Sequence, residues 1–263
     1  MNVLITGGGT QQPIDNVRSI TNFSTGRTSK ILSEYFVKNG HFVTCITSKN
    51  ALKPHNCKTV LYSSFDDLQS VLKTELSKRN YNIVIHAAAV SDYSTDKIII
   101  DRKEYDAGTV NKIPSGKGLT VIFKVNPKLI YSIKKWSKAP CVLFGFKLTD
   151  NVSLAERLEA VKKVFEGSNE NKDFCPDYVI SNDKSELKGK SHPCKIYDDQ
   201  LNCISECDTV ENMAQVIESC ALKKTADTQV TQVVKSAISN TLEAMLRIPV
   251  ETCKPCPGAD AES

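Results

Sequence analysis

A glycine-rich turn and the polar loop after it carry the first residues that could do chemistry. Gly7–Thr10 (GGGT) follows a short apolar run, and a helical pattern begins near Arg27. Glycines between a strand and a helix let backbone N–H groups approach a phosphate, and the helix N-terminus adds partial positive charge. The loop is roughly twenty residues long, whereas an ordinary dinucleotide turn needs about five or six. It carries Arg18, Asn22 and Ser24, which are suited to catalysis as well as to binding.

Four further polar clusters are candidates for ligand contact. They are Ala87–Tyr93 with Asp92, Asn111–Ser115 with Lys112, Phe144–Leu148 with Lys147, and Ser181–Asp183 with Asn182. An aspartate accepts hydrogen bonds from hydroxyl or amide groups, a lysine is a point charge for phosphates, and an asparagine pairs a donor with an acceptor. All three types are also ordinary turn or surface residues, so the prediction depends on the clusters meeting in space. His86 is interpreted as a packed residue near a strand end rather than as a general base.

The order of elements predicts where these clusters meet. Apolar runs and helical periodicity alternate as strand Asn2–Thr6, helix Arg27–Asn39 ending at Gly40, strand His41–Thr47, helix Asp66–Lys78 and strand Tyr81–Ala88. This β-α-β-α-β order requires crossover connections and therefore a parallel sheet. Ligands of such sheets bind at the carboxyl ends of the strands. We therefore predict a Rossmann-like α/β fold, a parallel sheet in three α/β/α layers, with the clusters at one edge.

The rest of the chain continues this pattern. Further elements are expected as strand Leu119–Lys124, a helix from the N-cap Asn126 and Pro127 to Trp136, strand Cys141–Phe146, a helix from the capping box Ser153–Glu156 to Phe165, and strand Tyr178–Ser181. A β-hairpin (Lys195–Tyr197 and Leu201–Ile204) and a helix capped by Asp208 with Glu211 complete a predicted ligand-binding domain, residues 1–224. Residues 94–118 have no clear period and are expected to be an irregular segment with a functional role. Residues 225–263 are expected to form an extra amphipathic helix and a disordered tail.

Composition limits the classes of function. With 263 residues the chain can form one large α/β domain, and a net charge of +4 with scattered basic residues argues against nucleic acid as a partner. The sequence shows neither a signal segment nor a membrane-length apolar stretch, so we expect a cytoplasmic protein without membrane contact. The ten cysteines are irregularly spaced. The pair Cys253 and Cys256 lacks the second pair or histidine cluster of a zinc site, so no metal site is predicted.

A short-chain NAD(P)-dependent oxidoreductase is one alternative. Tyr131 and Lys135 have the Tyr-x-x-x-Lys spacing of that class. However, the glycine turn lacks the further glycines that are usual there. Thr47–Lys49 also stands at the end of the second strand, where an acidic residue would bind the ribose. A nucleotide-binding module without turnover is a third possibility, which predicts triphosphate binding and no product.

In their order along the chain, the motifs resemble those of the phosphopantothenoylcysteine synthetase family over residues 2–222. The resemblance is carried by Gly8–Thr10 with Asp15, Val17 and Arg18; by Asn22–Gly26; by Ala88–Tyr93; by Lys112 and Ile113; by Gly145–Leu148; and by Asn182. It implies a stand-alone, homodimeric ligase of coenzyme A biosynthesis that uses neither flavin nor NAD. The implied reaction activates the carboxylate of 4′-phosphopantothenate with a nucleoside triphosphate and Mg²⁺. The amine of L-cysteine then displaces the nucleotide, so that pyrophosphate and a nucleoside monophosphate are released.

The resemblance also implies roles for single residues. Nucleotide contacts are implied for Gly8, Gly9, Thr10, Ser24, Gly26, Phe146, Lys147 and Asn182, and substrate contacts for Asn22, Ala88, Ala89 and Asp92. Asn22 is further expected to stabilise the acyl-nucleotide and the oxyanion. Lys112 is expected to be the cation at the reacting phosphate, on a loop that closes when substrate is present. Arg18 is expected to bind the substrate phosphate.

The choice of nucleotide stays open at this stage. Bacterial relatives favour CTP and animal-type relatives favour ATP. Asn22–Ser24 is closer to the animal-type spelling, whereas Ile14–Ile20 is closer to bacterial stand-alone forms, which favours CTP slightly. Three features depart from the family pattern. Ser29 and Lys30 stand where a further glycine is usual, Pro114 stands where a polar residue is common, and the segment after about Lys224 has no counterpart in the family pattern.

Overall fold

The computed structural model describes residues 1–116, 118–167, 174–189 and 191–246. The strands are β1 (Asn2–Gly7), β2 (Gln11–Pro13), β3 (Ser19–Thr21), β4 (Phe42–Ser48), β5 (Lys58–Tyr62), β6 (Ile83–His86), β7 (Tyr93–Ile100), β8 (Lys103–Asp106), β9 (Leu119–Val125), β10 (Val142–Thr149), β11 (Tyr178–Asp183), β12 (Cys194–Asp198) and β13 (Cys203–Cys207). The α-helices are α1 (Arg27–Lys38), α2 (Phe65–Lys78), α3 (Ile130–Trp136), α4 (Leu154–Glu166) and α5 (Val210–Leu246).

An eight-stranded sheet forms the centre, in the order β13-β12-β11-β10-β6-β1-β4-β5. The strands from β11 to β5 pair in parallel, and the hairpin β12–β13 extends the sheet antiparallel beyond β11. The chain builds outward from β1 to β5, then returns to place β6 on the other side of β1. The order therefore reverses between β1 and β6, and open α/β sheets bind ligands beyond the strand ends at such a reversal.

Helices cover both faces of this sheet, because alternate residues of the buried strands point to opposite sides. Val3 and Ile5 pack in one core with α1 and the first part of α5, whereas Leu4 packs in a second core with α2 and α3. A smaller cluster places Val161 of α4 against Val179 of β11. The predicted Rossmann-like three-layer fold with its C-terminal hairpin and helix is confirmed.

Local capping signals explain where two of the helices begin. The Ser153 hydroxyl accepts from the N–H of Glu156 at 3.3 Å, and the Glu156 carboxylate accepts from the N–H of Ser153 at 2.9 Å. The predicted capping box is thus confirmed. Ser64 and Asp67 form a second box ahead of α2. Each box satisfies two N–H groups that the helix itself leaves unpaired.

The interpretation of residues 94–118 as an irregular segment was wrong. Strands β7, β8 and β9 form a separate three-stranded antiparallel sheet in the order β8-β7-β9. Leu119–Val125, predicted as a strand like its neighbours, therefore belongs to this small sheet and not to the central one. Edge strand β5 and the small hairpin β2–β3, which lies within the long early loop, were also not predicted.

Two predicted helix starts were also wrong. Asn126 does not cap α3, which begins at Ile130, because its side chain bonds elsewhere: Nδ2 donates to the Ser91 carbonyl at 3.1 Å and Oδ1 accepts from the Ser94 hydroxyl at 2.8 Å. At the start of α5, Thr209 replaces the predicted Asp208 cap, since its Oγ1 accepts from the N–H of Asn212 at 3.1 Å.

The predicted separate helix after residue 224 is instead the continuation of α5. No glycine or proline interrupts the sequence between Val210 and Leu246, so nothing ends the helix there. By its contacts the chain divides into one unit that ends at Ala221 and a second that begins at Leu222. The boundary at residue 224 stays a prediction, and the tail predicted as disordered lies outside the described residues from 247 onward.

Candidate functional site

The segments that follow β1 and β6 are hydrogen-bonded to each other beyond the carboxyl ends of these strands. The N–H of Ala89 donates to the Gly8 carbonyl at 2.8 Å, and the N–H of Thr10 donates to the Ala89 carbonyl at 3.3 Å. The buried Thr10 hydroxyl accepts from the N–H of Ser91 at 2.8 Å. The glycine turn and the Ala87–Tyr93 segment, predicted separately from the sequence, thus form one continuous floor.

Asn22 lies over this floor. Its side-chain Nδ2 donates to the Ala89 carbonyl at 3.3 Å. Its backbone carbonyl oxygen would lie only 2.6 Å from a Cβ built on Gly9. No residue with a side chain fits at position 9 without moving Asn22. The structure therefore brings together Gly9, Thr10, Asn22 and Ala89, four of the predicted site residues.

A cavity of about 780 Å³ opens next to the floor, between the exits of β6 and β10 and helices α3 and α4. Its lining includes four predicted residues: Ala88, Asp92, Phe146 and Lys147. It also includes Lys128, Glu159 and Lys163, which the sequence did not mark. Tyr131 and Glu156 line it too, although the sequence indicated them only for the oxidoreductase alternative and for a capping box. A cavity of this size matches the range that holds a small-molecule ligand.

The cavity lining carries charged side chains of both signs. Lys128, Lys147 and Lys163 line it, and Lys128 forms an ion pair with Asp92. Both partners of that pair are more than half exposed, so the pair contributes little to stability and can open for a ligand. Three carboxylates, Asp92, Glu156 and Glu159, line the cavity as well, and Lys163 pairs with Glu159. The formal charges of the lining therefore balance, and a lysine suits a phosphate only when it turns from its carboxylate partner.

His86 is buried at the end of β6 and also lines the cavity. Its Nδ1 shares a hydrogen bond of 2.9 Å with the Thr6 hydroxyl. Burial lowers the pKa of His86 to about 4, so the ring is neutral at pH 7. The interpretation of His86 as a packed residue is consistent with this environment. A ring with such a low pKa is also a weak general base near neutral pH.

Gly8, within the glycine turn, and Gly26, at the start of α1, both lie close to Ala51. A Cβ on Gly8 would lie 2.9 Å from the Ala51 Cβ, and one on Gly26 would lie 2.6 Å from the same atom. Gly26 precedes α1 with φ of 72°, a backbone conformation that favours glycine. Ser24 is half-buried between Asn22 and Gly26. These glycines therefore have a packing role, and their predicted contact with nucleotide stays a prediction.

Asn182 does not line the cavity, although it stands at the end of β11 on the same edge of the sheet. Its Nδ2 lies 3.3 Å from Nε2 of His192. Burial, with a smaller effect from Arg27, lowers the pKa of His192. Arg27 in turn donates to the Gly189 carbonyl at 2.7 Å. His192 was missed because no motif marks it.

Lys112 and Arg18 also lie outside the cavity lining. Lys112 is exposed on the segment between β8 and β9. Arg18 Nη1 donates to Oδ2 of the buried Asp15 at 2.7 Å, so the guanidinium predicted to bind the substrate phosphate has a protein partner. Its contact with phosphate stays a prediction.

The residues of the oxidoreductase alternative are not arranged for that chemistry. The Tyr131 hydroxyl donates to the Val164 carbonyl at 3.2 Å, and burial raises the pKa of this phenol. Lys135 Nζ lies 4.7 Å from the centre of the Phe174 ring. The match to the Tyr-x-x-x-Lys spacing is therefore explained by packing on α3.

Two further features concern metal and membrane. Within the described ranges, His, Cys, Asp and Glu form no group of three or more that could hold a metal ion. Cys253 and Cys256 lie outside these ranges. Among the helices that the structure describes, none combines the length and apolar character needed to cross a bilayer.

Comparison with known proteins places the chain in a family. The family model of the DNA/pantothenate metabolism flavoprotein C-terminal domain matches residues 1–199 of this chain. Coenzyme A biosynthesis bifunctional protein CoaBC of Thermococcus kodakarensis is 29% identical over 62% of this chain and 38% of its own length, and that of Methanocaldococcus jannaschii is 30% identical over 70% and 40%. The chain thus spans about two fifths of the length of these relatives.

Two other similar proteins have different names. Phosphopantothenate–cysteine ligase 2 of Oryza sativa subsp. japonica is 30% identical over 46% of this chain and 35% of its own length. The solved DNA/pantothenate metabolism flavoprotein of Streptococcus pneumoniae is 27% identical, with a TM-score of 0.73 over 85% of this chain and 99% of that chain. From the family match over most of its length, the chain belongs to the DNA/pantothenate metabolism flavoprotein C-terminal domain family.

Proposed function

We propose that this chain is a ligase that joins 4′-phosphopantothenate to L-cysteine through an acyl-nucleotide. Its family and the names of its relatives in coenzyme A biosynthesis support the reaction class. The observation that carries the proposal is the cavity of Ala88, Asp92, Phe146 and Lys147, which adjoins the floor under Asn22. Predicted nucleotide and substrate residues thus lie side by side, as the transfer of a nucleotide to a carboxylate requires.

The first step needs a cationic environment. An oxygen of the phosphopantothenate carboxylate attacks the α-phosphorus of the triphosphate, and pyrophosphate leaves. Lys128, Lys147 and Lys163 would turn from their carboxylate neighbours to hold the triphosphate in the cavity, with Mg²⁺ entering as its counter-ion. Lys112 would reach the reacting phosphate with its exposed side chain. Opening of the pair between Lys128 and Asp92 would release the aspartate for the pantothenate part.

The second step needs a hydrogen-bond donor at the acyl oxygen. The cysteine amine attacks the acyl carbon, the C–O bond to the phosphate breaks so that the nucleoside monophosphate leaves, and the proton of the amine passes to water. The Asn22 carboxamide stands where the floor meets solvent and would stabilise the oxyanion that forms. The close approach of the Asn22 backbone carbonyl to Gly9 would fix the height of the carboxamide above the floor.

One assay tests the proposal. The protein is incubated with phosphopantothenate, L-cysteine, Mg²⁺ and either CTP or ATP, and the amide product and pyrophosphate are measured by mass spectrometry and a coupled assay. Pyrophosphate release that requires phosphopantothenate supports the ligase, and the triphosphate that gives the higher rate settles the nucleotide, for which CTP is our expectation. Triphosphate binding without product would instead support a nucleotide-binding module. Consumption of NAD(P)H would support the oxidoreductase.

We further propose that the active form is a cytoplasmic homodimer. The resemblance to the synthetase family supports this assembly. Light scattering of the purified chain should give twice its mass of 29.0 kDa. A monomer with full ligase activity would reject the dimer and keep the reaction.

A further inference from the structure

The backbone on both sides of Lys112 is tied to the early polar loop. Before Lys112, the Asn111 carbonyl accepts from the N–H of Asn16 at 3.1 Å, and the two side chains share a hydrogen bond of 3.2 Å. After Lys112, the N–H of Ile113 donates to Oδ2 of Asp15 at 3.0 Å. Lys112 itself remains exposed between these two attachments.

Asp15 is the centre of this arrangement. Its side chain is fully buried, and Oδ1 accepts from the N–H groups of Val17 and Arg18 at 2.8 and 2.7 Å. Oδ2 accepts from the guanidinium of Arg18 and from the N–H of Ile113. Both oxygens are thus used by donors. The hydrogen bond from Ile113 is the largest of the causes that lower the pKa of Asp15 to about 2, so the group is an anion at any pH of enzymatic interest.

Arg18 and Ile113 complete the attachment. Nη1 and Nη2 of Arg18 each lie 3.4 Å from the Ile113 carbonyl. The Ile113 side chain is buried in a cluster with Ile98 and Ile100 of the small sheet. Ile113 is therefore held through its N–H, its carbonyl and its side chain, whereas the neighbouring lysine is not buried.

We infer that Asp15 and Arg18 are positioning residues that hold the segment of Lys112 in place for reaction. We call the contacts of Asp15 and Arg18 with Ile113 the clasp. In this inference Arg18 acts through the clasp rather than as a ligand of phosphate. The kinetic part rests on the proposed ligase function, whereas the structural part does not.

Asp15→Asn is the sharpest perturbation of the clasp. Asparagine keeps the size of the side chain but replaces one oxygen by an NH₂ group, which would face donors instead of accepting from them. The readout is amide hydrogen exchange at Ile113, measured by NMR on the full chain. Loss of a charge-assisted hydrogen bond should speed this exchange by about tenfold or more.

A matched control and a conservative variant separate the clasp from general destabilisation. Lys97→Gln removes the ion pair of Lys97 with Glu104 in the same small sheet, without touching the clasp. It should leave exchange at Ile113 unchanged. Arg18→Lys keeps the charge but loses the guanidinium contact with the Ile113 carbonyl, so its exchange rate should lie between those of wild type and Asp15→Asn. Equal acceleration in all three variants would overturn the inference.

The kinetic test is a double-mutant cycle of Asp15→Asn and Lys112→Gln on pyrophosphate release. If Asp15 acts through Lys112, Asp15→Asn lowers kcat in the wild-type background and has no further effect in Lys112→Gln. Independent, multiplicative effects would overturn the positioning role. Faster exchange at Ile113 in a chain without ligase activity would keep the clasp and reject the proposed function. Unchanged exchange in an active enzyme would reject the clasp and keep the function.

Discussion

Replacing Gly9 by alanine should disable the proposed site without unfolding the chain. The new Cβ would lie 2.6 Å from the carbonyl oxygen of Asn22, whereas ordinary van der Waals contact begins at 3.4 Å. The obstructing atom belongs to the backbone and cannot rotate away, so the Asn22 segment must move by about 0.8 Å. A misplacement of about 1 Å at a reacting centre costs on the order of 10²-fold in rate. We therefore expect Gly9→Ala to form the amide product about a hundredfold more slowly.

The assay measures kcat for the amide product at saturating triphosphate, with thermal unfolding as a check on folding. Overpacking typically costs about 1–3 kcal/mol of unfolding free energy, which a domain of this size should tolerate. Gly118→Ala is the matched control, because a Cβ there meets nothing within 4 Å. It should keep its rate within about twofold, as surface substitutions usually change little. A Gly9→Ala variant with the wild-type kcat would refute the coupling between Gly9 and Asn22.

Three further perturbations have distinct expected outcomes. Asn22→Ala should still release pyrophosphate but form product on the order of 10²–10³-fold more slowly, because the oxyanion loses its donor; normal product formation would reject this role. Lys112→Gln should slow pyrophosphate release itself, whereas the surface control Lys97→Gln should not; equal rates would make Lys112 a solvated charge. His86 should make the protein less stable as pH falls from about 6.5 toward its lowered pKa of about 4, since the unfolded chain takes up the proton first. The loss in unfolding free energy, up to about 3 kcal/mol in urea titrations, should be smaller in His86→Gln, and an identical pH dependence would contradict the assignment.

The central sheet could be predicted because its signals are local. Buried strands such as β1 and β6 are short apolar runs, and the Ser153–Glu156 capping box marks α4. Parallel pairing then follows from the alternation of strands and helices. The meeting of the Gly9 and Ala89 segments is a consequence of that topology.

The small antiparallel sheet could not be predicted because its turn lacks the usual residues. Ile100 pairs with Lys103, so Asp101 and Arg102 form a two-residue hairpin loop. Both have positive φ, 48° and 68°, as such tight loops require. Sequence signals for these loops rely on Asn-Gly or Asp-Gly, and neither is present here.

Parts of the candidate site were missed for a related reason. Asn126 and Pro127 match the start of a helix, but the partners of the Asn126 side chain are Ser91 and Ser94, more than thirty residues earlier. Lys128, two residues after Asn126, lines the cavity, and no local sequence pattern indicates this position. From the sequence, Lys112 was predicted to lie with the residues that line the cavity. In the structure its neighbours Asn111 and Ile113 are instead hydrogen-bonded to the early loop.

Ala51 lies against the glycine turn on the side toward which a Rossmann dinucleotide would extend. A dinucleotide of the Rossmann type extends from the glycine turn toward the end of the second parallel strand. On that route Ala51 stands within 2.9 Å of the missing Cβ positions of Gly8 and Gly26, and Leu52 donates to the Thr25 carbonyl. The segment after this second parallel strand is thus packed against the glycine turn, on the side where a dinucleotide places its second nucleoside. We therefore expect NADH to bind weakly to the chain.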